Sequence, residues 1–364
     1  MFFIICFWFF FPPPTLFPPL ASLDRLPLPL QRISDTVMKA IVITGTGGVD
    51  VLEVREVPTP EPQGDQIRVR VRACGLNRAD LMQCRGKYPA PRGAPANIPG
   101  LEYAGEVDVV GPGCSGPLKL GDRVFGIVSG GGQAEYLVTH ERLAVAIPEA
   151  LTFEEAAAVP EVFLTAHDAL ETQGEAKPGE TVLIHAVGSG VGTAALQIAR
   201  AMGCTVIGTS RTAEKLQKAG KLGLDVGIES TRGDFAADVL AFTGGSGADV
   251  IIDIIGAPVW EANLRALAVR GRLVVIGLLG GGTTTIDLRS LMNKRAHVIG
   301  TTMRARPLEE RIAVTRRFAR RVVPWLERGL VRPVVDRVFP FAEVRAAEQR
   351  LEANLGFGKV VLRV

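Results

Sequence analysis

Histidine and cysteine are scarce in these 364 residues, at four and five copies. The cysteines stand at 6, 74, 84, 114 and 204, none spaced as CxxC, and no histidine cluster accompanies them. That spacing excludes a disulfide framework and a zinc knuckle, and makes a reducing cytoplasm the expected setting. Net charge is also small, at +3 with a pI near 8.6. So mild a balance argues against a nucleic-acid partner and leaves only a weak attraction for anionic ligands. The ten-residue apolar run Phe2–Phe11 is too short to span a bilayer, so no stable membrane insertion is expected. The first basic residue is Arg25, so the positive start of an export signal is missing too.

What is present suits a folded α/β protein of two domains: 47% hydrophobic residues, 22% charged, and 41 glycines to make turns. Residues 1–37 read differently from the rest. Seven of the 16 Phe fall before position 18 and seven of the 24 Pro before position 30. The expectation is a disordered extension, with Met38 as the working start, because Met38-Lys39-Ala40-Ile41-Val42 opens a strand cleanly.

The stretch Thr181–Lys215 organises the remainder. Val182-Leu183-Ile184 is an apolar run suited to a strand buried on both faces. It breaks at Gly188-Ser189-Gly190-Val191-Gly192, and a helical apolar pattern follows through Ala194, Leu196, Ile198, Ala199 and Met202 to Gly203. Thr205–Thr209 is β-branched again. This is a βαβ unit whose turn can offer backbone N–H groups and a positive helix end to a pyrophosphate. The spacing is not a strict GxGxxG, and an ordinary tight turn is the alternative. The strand before, the helix after and the second strand favour a dinucleotide. On that reading Ser189, Gly190 and Val191 hold the pyrophosphate, and Gly192 lets helix and strand pack closely.

From Met38 to about Pro160 short strands alternate with glycine turns, which predicts a β-rich domain, a small barrel with its own core. Ile67–Ala73 alternates apolar and polar residues as a half-buried strand does. From about Glu161 to Thr301 strands alternate with helices, which predicts a doubly wound parallel sheet. From Met303 onward a helix over Glu309–Leu326 and strands near Val334–Phe339 and Lys359–Val364 are expected to return to the β-rich domain. The expected division is therefore 38–160 with 303–364, and 161–302.

The turn after the second strand, Thr209-Ser210-Arg211 followed by Lys215, lacks the acidic residue that meets a free ribose 2′-hydroxyl. Ser210, Arg211 and Lys215 instead offer donors and positive charge to a 2′-phosphate, so NADPH is the expected cofactor. A helix cap with surface charges is the bland alternative. Gly256, Leu278 and Gly280 follow strand ends, on the rim where parallel sheets bind ligands.

Several motifs resemble those of a known family: ACGLNRADLMQCRGKYP (73–89), IPGLEYAGEV (98–107), GGGQAEY (130–136), PEVFLTAHDAL (160–170), VLIHAVGSGVGTAALQ (182–197), GLLGGG (277–282) and EANLGFGKVVL (352–362). They occur in the order found in the zinc-independent quinone oxidoreductases of the medium-chain dehydrogenase/reductase superfamily, and are most similar to their p53-inducible branch. The resemblance implies a GroES-like catalytic domain, a Rossmann domain and a cleft between them. It also implies no metal site: zinc-dependent relatives carry Cys and His ligands where Asn77 and Leu101 stand here. Asn77 and Thr165 match family positions near the nicotinamide, with turn or helix capping as their bland roles. Phe357, Gly358 and Lys359 match a C-terminal contact with the cofactor, although Lys359 reads equally well as a surface charge.

Tyr88 lies in the loop that borders the substrate cleft in relatives. It reads equally as a quinone-stacking or proton-supplying residue and as a partly buried ring with its hydroxyl in water. Glu102 reads as structural and the four histidines as packing or surface residues. Ser230 stands where relatives often have a Tyr near the 2′-phosphate. The expected activity is NADPH-dependent quinone reduction by a homodimer, paired through the edge near His297–Thr301. A reductase of enones or enoyl thioesters is the near alternative. An NADPH-binding or RNA-binding protein with little turnover is the alternative of a different class.

Overall fold

The computed structural model describes residues 37–231 and 234–364. The expectation for residues 1–37 therefore falls almost wholly outside the described residues. Fifteen strands can be followed among them. β1 (Val37–Ile43) and β2 (Leu52–Pro58) form an antiparallel ribbon. A mixed sheet of seven strands comprises β3 (Gln66–Gly75), β4 (Glu102–Val110), β5 (Arg123–Ile127), β6 (Tyr136–His140), β7 (Ala144–Ala146), β14 (Val335–Pro340) and β15 (Lys359–Arg363). Its pairing runs β14-β15-β3-β4-β5-β7, with β6 also on β3. The C-terminal strands join this sheet because β15 lies antiparallel to β3, with Leu362 opposite Cys74.

The other sheet contains β8 (Thr181–Ile184), β9 (Thr205–Ser210), β10 (Val226–Glu229), β11 (Ala248–Asp253), β12 (Leu267–Val275) and β13 (His297–Gly300). All its pairings are parallel, in the order β10-β9-β8-β11-β12-β13. Counted from β8 as the first strand, this is the 3-2-1-4-5-6 order of a dinucleotide fold, with the order reversing beside β8. The period of two explains why its strands are continuous apolar runs. Val182, Ile184, Val206, Val250 and Ile252 enter the core on one face; Leu183, Ile207 and Ile251 enter the core on the other.

Two local expectations shift. The helix expected over Glu309–Leu326 is two helices, Leu308–Arg321 and Val323–Glu327. Pro324 has no N–H for the helical ladder, so the break falls just before it. Arg68, on the polar phase of β3, is buried rather than outward. Ion pairs to Asp108 at 2.6 Å and Glu61 at 2.7 Å make that burial tolerable. Among the described residues no helix is long and apolar enough to cross a membrane.

Candidate active site

The site is built where β8 ends and its helix begins. Ala186 takes a left-handed φ of 48° in the turn, and Ser189 caps the helix Gly190–Ala201 through a 3.0 Å hydrogen bond from Gly192 N–H to its Oγ. A side chain at Gly192 would collide with the Ala186 carbonyl, so only glycine lets the helix start this close to the strand. The N–H of Thr193 donates to the Ser189 carbonyl, which leaves the Gly190 and Val191 N–H groups at the helix end for an anion. The C-terminal segment crosses this turn: Ser189 and Gly358 form a β-bridge, and Gly358 N–H donates to the Gly188 carbonyl at 3.0 Å. Gly192 and Gly358, far apart in the chain, are thus brought to one place. Ile184, His185, Val191, Ile252 and Ile276 line the adjoining hollow.

Gly190 has a second neighbour. A Cβ there would meet the Lys359 side chain at 2.7 Å and Val162 at 3.1 Å. The Lys359 stem lies on the helix end, but its ammonium points elsewhere. Nζ donates to the Leu76 carbonyl at 2.6 Å and to Asn77 Oδ1 at 2.8 Å, and pairs with Glu102 Oε1 at 2.6 Å. Lys359 is buried and Glu102 fully so, which corrects the reading of Lys359 as a surface charge. Both Glu102 oxygens are engaged: Asn77 Nδ2 also donates to Oε1 at 2.9 Å, and Glu161 N–H donates to Oε2 at 2.8 Å. Asn77 also caps the helix Arg78–Cys84 in a reciprocal box with Asp80. Asp80 is buried, its carboxyl raised by burial to about 6 even though the Asn77 and Gly100 N–H groups stabilise its charge.

Positive charge gathers beside the glycine turn. Arg211 is exposed just past β9. Burial, and then the Arg211 charge, hold the Lys215 ammonium below its ordinary range; the same two causes act in the same order on Arg78. The Arg211 charge thus acts on both Lys215 and Arg78, and three cations in one neighbourhood favour an anion. Lys215 Nζ rests on the Asn354 carbonyl at 2.7 Å, and Arg78 bonds the Asn354 side chain. Ser210 is less available: it is buried and its Oγ accepts the Thr212 N–H at 3.3 Å, while Thr212 stands at the N-cap of the helix Ala213–Gly220. Ser230 backs it through a 2.9 Å N–H bond to the Ser210 carbonyl.

The rim residues also come together. Gly256 N–H donates to Asp253 Oδ1 at 3.0 Å, and the turn after β11 bonds the turn after β12 through Gly280 N–H to the Ile255 carbonyl at 2.8 Å. Leu278 is exposed there. Thr165 lies in the helix Pro160–His167 and is partly exposed. Tyr88 is held from behind by Arg304, whose guanidinium lies 4.9 Å from its ring centre. Arg304 is buried and donates to the carbonyls of Tyr88 and Ser129 at 3.0 and 2.9 Å and to Gln83 Oε1 at 2.6 Å.

Two family models match the chain: one described as an alcohol dehydrogenase GroES-like domain over residues 63–149, the other as a zinc-binding dehydrogenase over residues 190–320. The quinone oxidoreductase of Pseudomonas aeruginosa is 36% identical over 329 residues, which cover 89% of this chain and 99% of that relative. The chain belongs to the quinone oxidoreductases of the medium-chain dehydrogenase/reductase superfamily. It is an oxidoreductase. Among solved structures it is similar to mycobacterial Rv1454c complexed with NADPH, with a TM-score of 0.80 and 30% identity over 90% of this chain and 100% of that one. It is also similar to the CurK enoyl reductase, with a TM-score of 0.79 and 27% identity over 90% and 99%.

Zinc, named in one of the matching descriptions, does not fit the residues of this quinone oxidoreductase relative. Leu101 is a buried hydrocarbon, and the Asn77 amide is already divided between Glu102 and Lys359. The nicotinamide dinucleotide fits better, given the open helix end and the three cations. Sequence reasoning missed Arg78, Arg304 and Glu161. Arg78 adjoins Asn77 and was open to notice as a cation beside a family position; Arg304 carries no local signal.

Proposed function

We propose that this chain is an NADPH-dependent, zinc-free quinone reductase. The cation cluster Arg78, Arg211 and Lys215, with no acidic residue at the end of β9, carries the choice of NADPH. Bound there, the cofactor supplies a hydride from nicotinamide C4. The Gly190 and Val191 N–H groups hold its pyrophosphate, while Asn77, fixed by Lys359 and Glu102, and Thr165 border the nicotinamide. Gly256, Leu278, Gly280 and Phe357 complete the walls. Tyr88, braced by Arg304, faces the acceptor. A quinone suits a site without a Lewis acid, because its reduction gains an aromatic ring and positioning supplies much of the catalysis. The names of the relatives support the same acceptor.

Reduction of enones or enoyl thioesters is the second reading, supported by the likeness to an enoyl reductase. We place the catalytic domain at 38–160 with 303–364 and the cofactor domain at 161–302. A homodimer through β13 is favoured by the exposed Val298 on that edge and the exposed Leu288 and Met292 near it. The four cysteines among the described residues are free, which suits a cytoplasmic setting. Oxidation of NADPH and of NADH, each with a quinone set and an enoyl-thioester set, tests the proposal. Faster turnover with NADH, or of thioesters alone, overturns it; cofactor binding with no turnover favours a binding protein.

A further inference from the structure

In the helix Pro160–His167 only Glu161 and Thr165 escape full burial. They are four residues apart, so they share one helix face. Thr165 is on the wall assigned to the nicotinamide, and the same face carries Glu161 beside the Asn77–Lys359–Glu102 cluster, to which its own N–H is bonded at 2.8 Å. Among the described residues the Glu161 carboxyl makes no ion pair and accepts no hydrogen bond. A carboxyl in a polar cluster whose other members are engaged, itself partly exposed and without a partner among the described residues, is placed for a ligand.

We propose that Glu161 is the proton donor of the reaction, delivering a proton to the oxygen of the bound acceptor. The inference rests on the reductase reading given above. Reduction of a quinone by hydride places two electrons and one proton on the acceptor and leaves one oxygen anionic. The carboxyl O–H of Glu161 breaks, a hydroquinone O–H forms, and the Glu161 carboxylate recovers a proton from water. The quinone is reduced, the dihydronicotinamide is oxidised, and one proton is consumed in total. For an enone the same carboxyl protonates the enolate.

The surroundings keep the acid loaded. The groups that face it are Glu102 on β4, Lys359 on β15, Asp80 on the helix Arg78–Cys84, and Arg304 beyond β13. Although the residue as a whole keeps partial exposure, desolvation of its carboxyl, and then the Glu102 charge, push that carboxyl up to about 8. Lys359 and Arg304 pull the other way, but both are spent on other partners. The end of its own helix also favours the charged form, by less than about one pKa unit. A donor poised close to neutral pH is suited to transfer in both directions.

Two measurements test this. Carboxyl-carbon NMR of the protein without cofactor, with Glu161→Gln to assign the signal, is expected to show Glu161 titrating above pH 7. A midpoint near the ordinary value of about 4.3 overturns the proposal whether or not the chain reduces quinones. In single-turnover oxidation of NADPH by a quinone, Glu161→Gln is expected to slow the step by ~100-fold or more while NADPH affinity stays within about threefold. The alkaline fall of the wild-type rate and its solvent isotope effect are expected to vanish in the variant, and Glu161→Asp to recover part of the rate. A Gln variant that keeps the wild-type rate and alkaline limb overturns the proposal. Wild-type protein that oxidises NADPH with no quinone or enone refutes the reductase reading instead.

Discussion

Replacing Lys359 by methionine keeps the apolar stem that packs on Gly190 and deletes the ammonium that Glu102 and Asn77 share. Glu102 is fully buried and Lys359 nearly so, so water cannot replace the lost partner. Glu102 would keep the Asn77 and Glu161 N–H donors but lose its counter-charge at 2.6 Å. Breaking a buried pair on one side costs about 3–5 kcal/mol. At about 2 °C per kcal/mol for a chain of this size, the thermal midpoint is expected to drop by about 6–10 °C. Glu102→Met should cost a similar amount. The double variant, with no charge left behind, should be more stable than the sum of the two by about 1–3 kcal/mol. Thermal and urea unfolding followed by tryptophan fluorescence measure all three. A loss below about 1 kcal/mol for Lys359→Met, the range of an exposed pair, together with an additive double variant, would refute the reasoning.

Lys215→Ala is expected to weaken NADPH binding by ~10- to 100-fold while NADH binding stays within about threefold, since only the former presents a 2′-phosphate; calorimetric titration of both nucleotides decides it. Arg304→Met strips the Tyr88 and Ser129 carbonyls and Gln83 of a shared donor, so amides in the Tyr88 loop should exchange faster and the quinone KM rise by ~10-fold. Unchanged exchange in that loop argues against the brace. His185 is buried between Thr209 and Asn263, and burial lowers its pKa. The unfolded chain therefore takes up the proton first. The contribution to stability is complete above about pH 6.5 and is lost as pH falls below it, through the folded-state pKa. The thermal midpoint of His185→Gln should fall less than that of the wild type between about pH 7 and pH 5; equal slopes would assign the acid sensitivity to other groups.

The six parallel strands and their helices were legible because each is written in local periodicity: apolar runs for strands buried on two faces, helical spacing after Ser189, glycine between them. The cofactor reading also came from neighbours in sequence, the glycine turn and the Ser210–Lys215 segment. Local pattern was less reliable where one residue decides the outcome, as when Pro324 divides the last long helix or acidic partners draw Arg68 inward. The acceptor side of the site was the least legible. Lys359 reaches Asn77 across 282 positions and Arg304 reaches Tyr88 across 216. No period or spacing records such pairings, since they depend on which surfaces meet once β15 lies against β3. The sequence by itself determined the family, the cofactor-binding unit and the absence of zinc ligands at Asn77 and Leu101. Only the tertiary structure decided that Lys359 is buried rather than exposed and that Arg78 joins the Arg211 and Lys215 charges. It alone left Glu161, among the described residues, without a partner beside the Lys359–Glu102 ion pair, because charge and burial are properties of assembled neighbours, not of residues in a row.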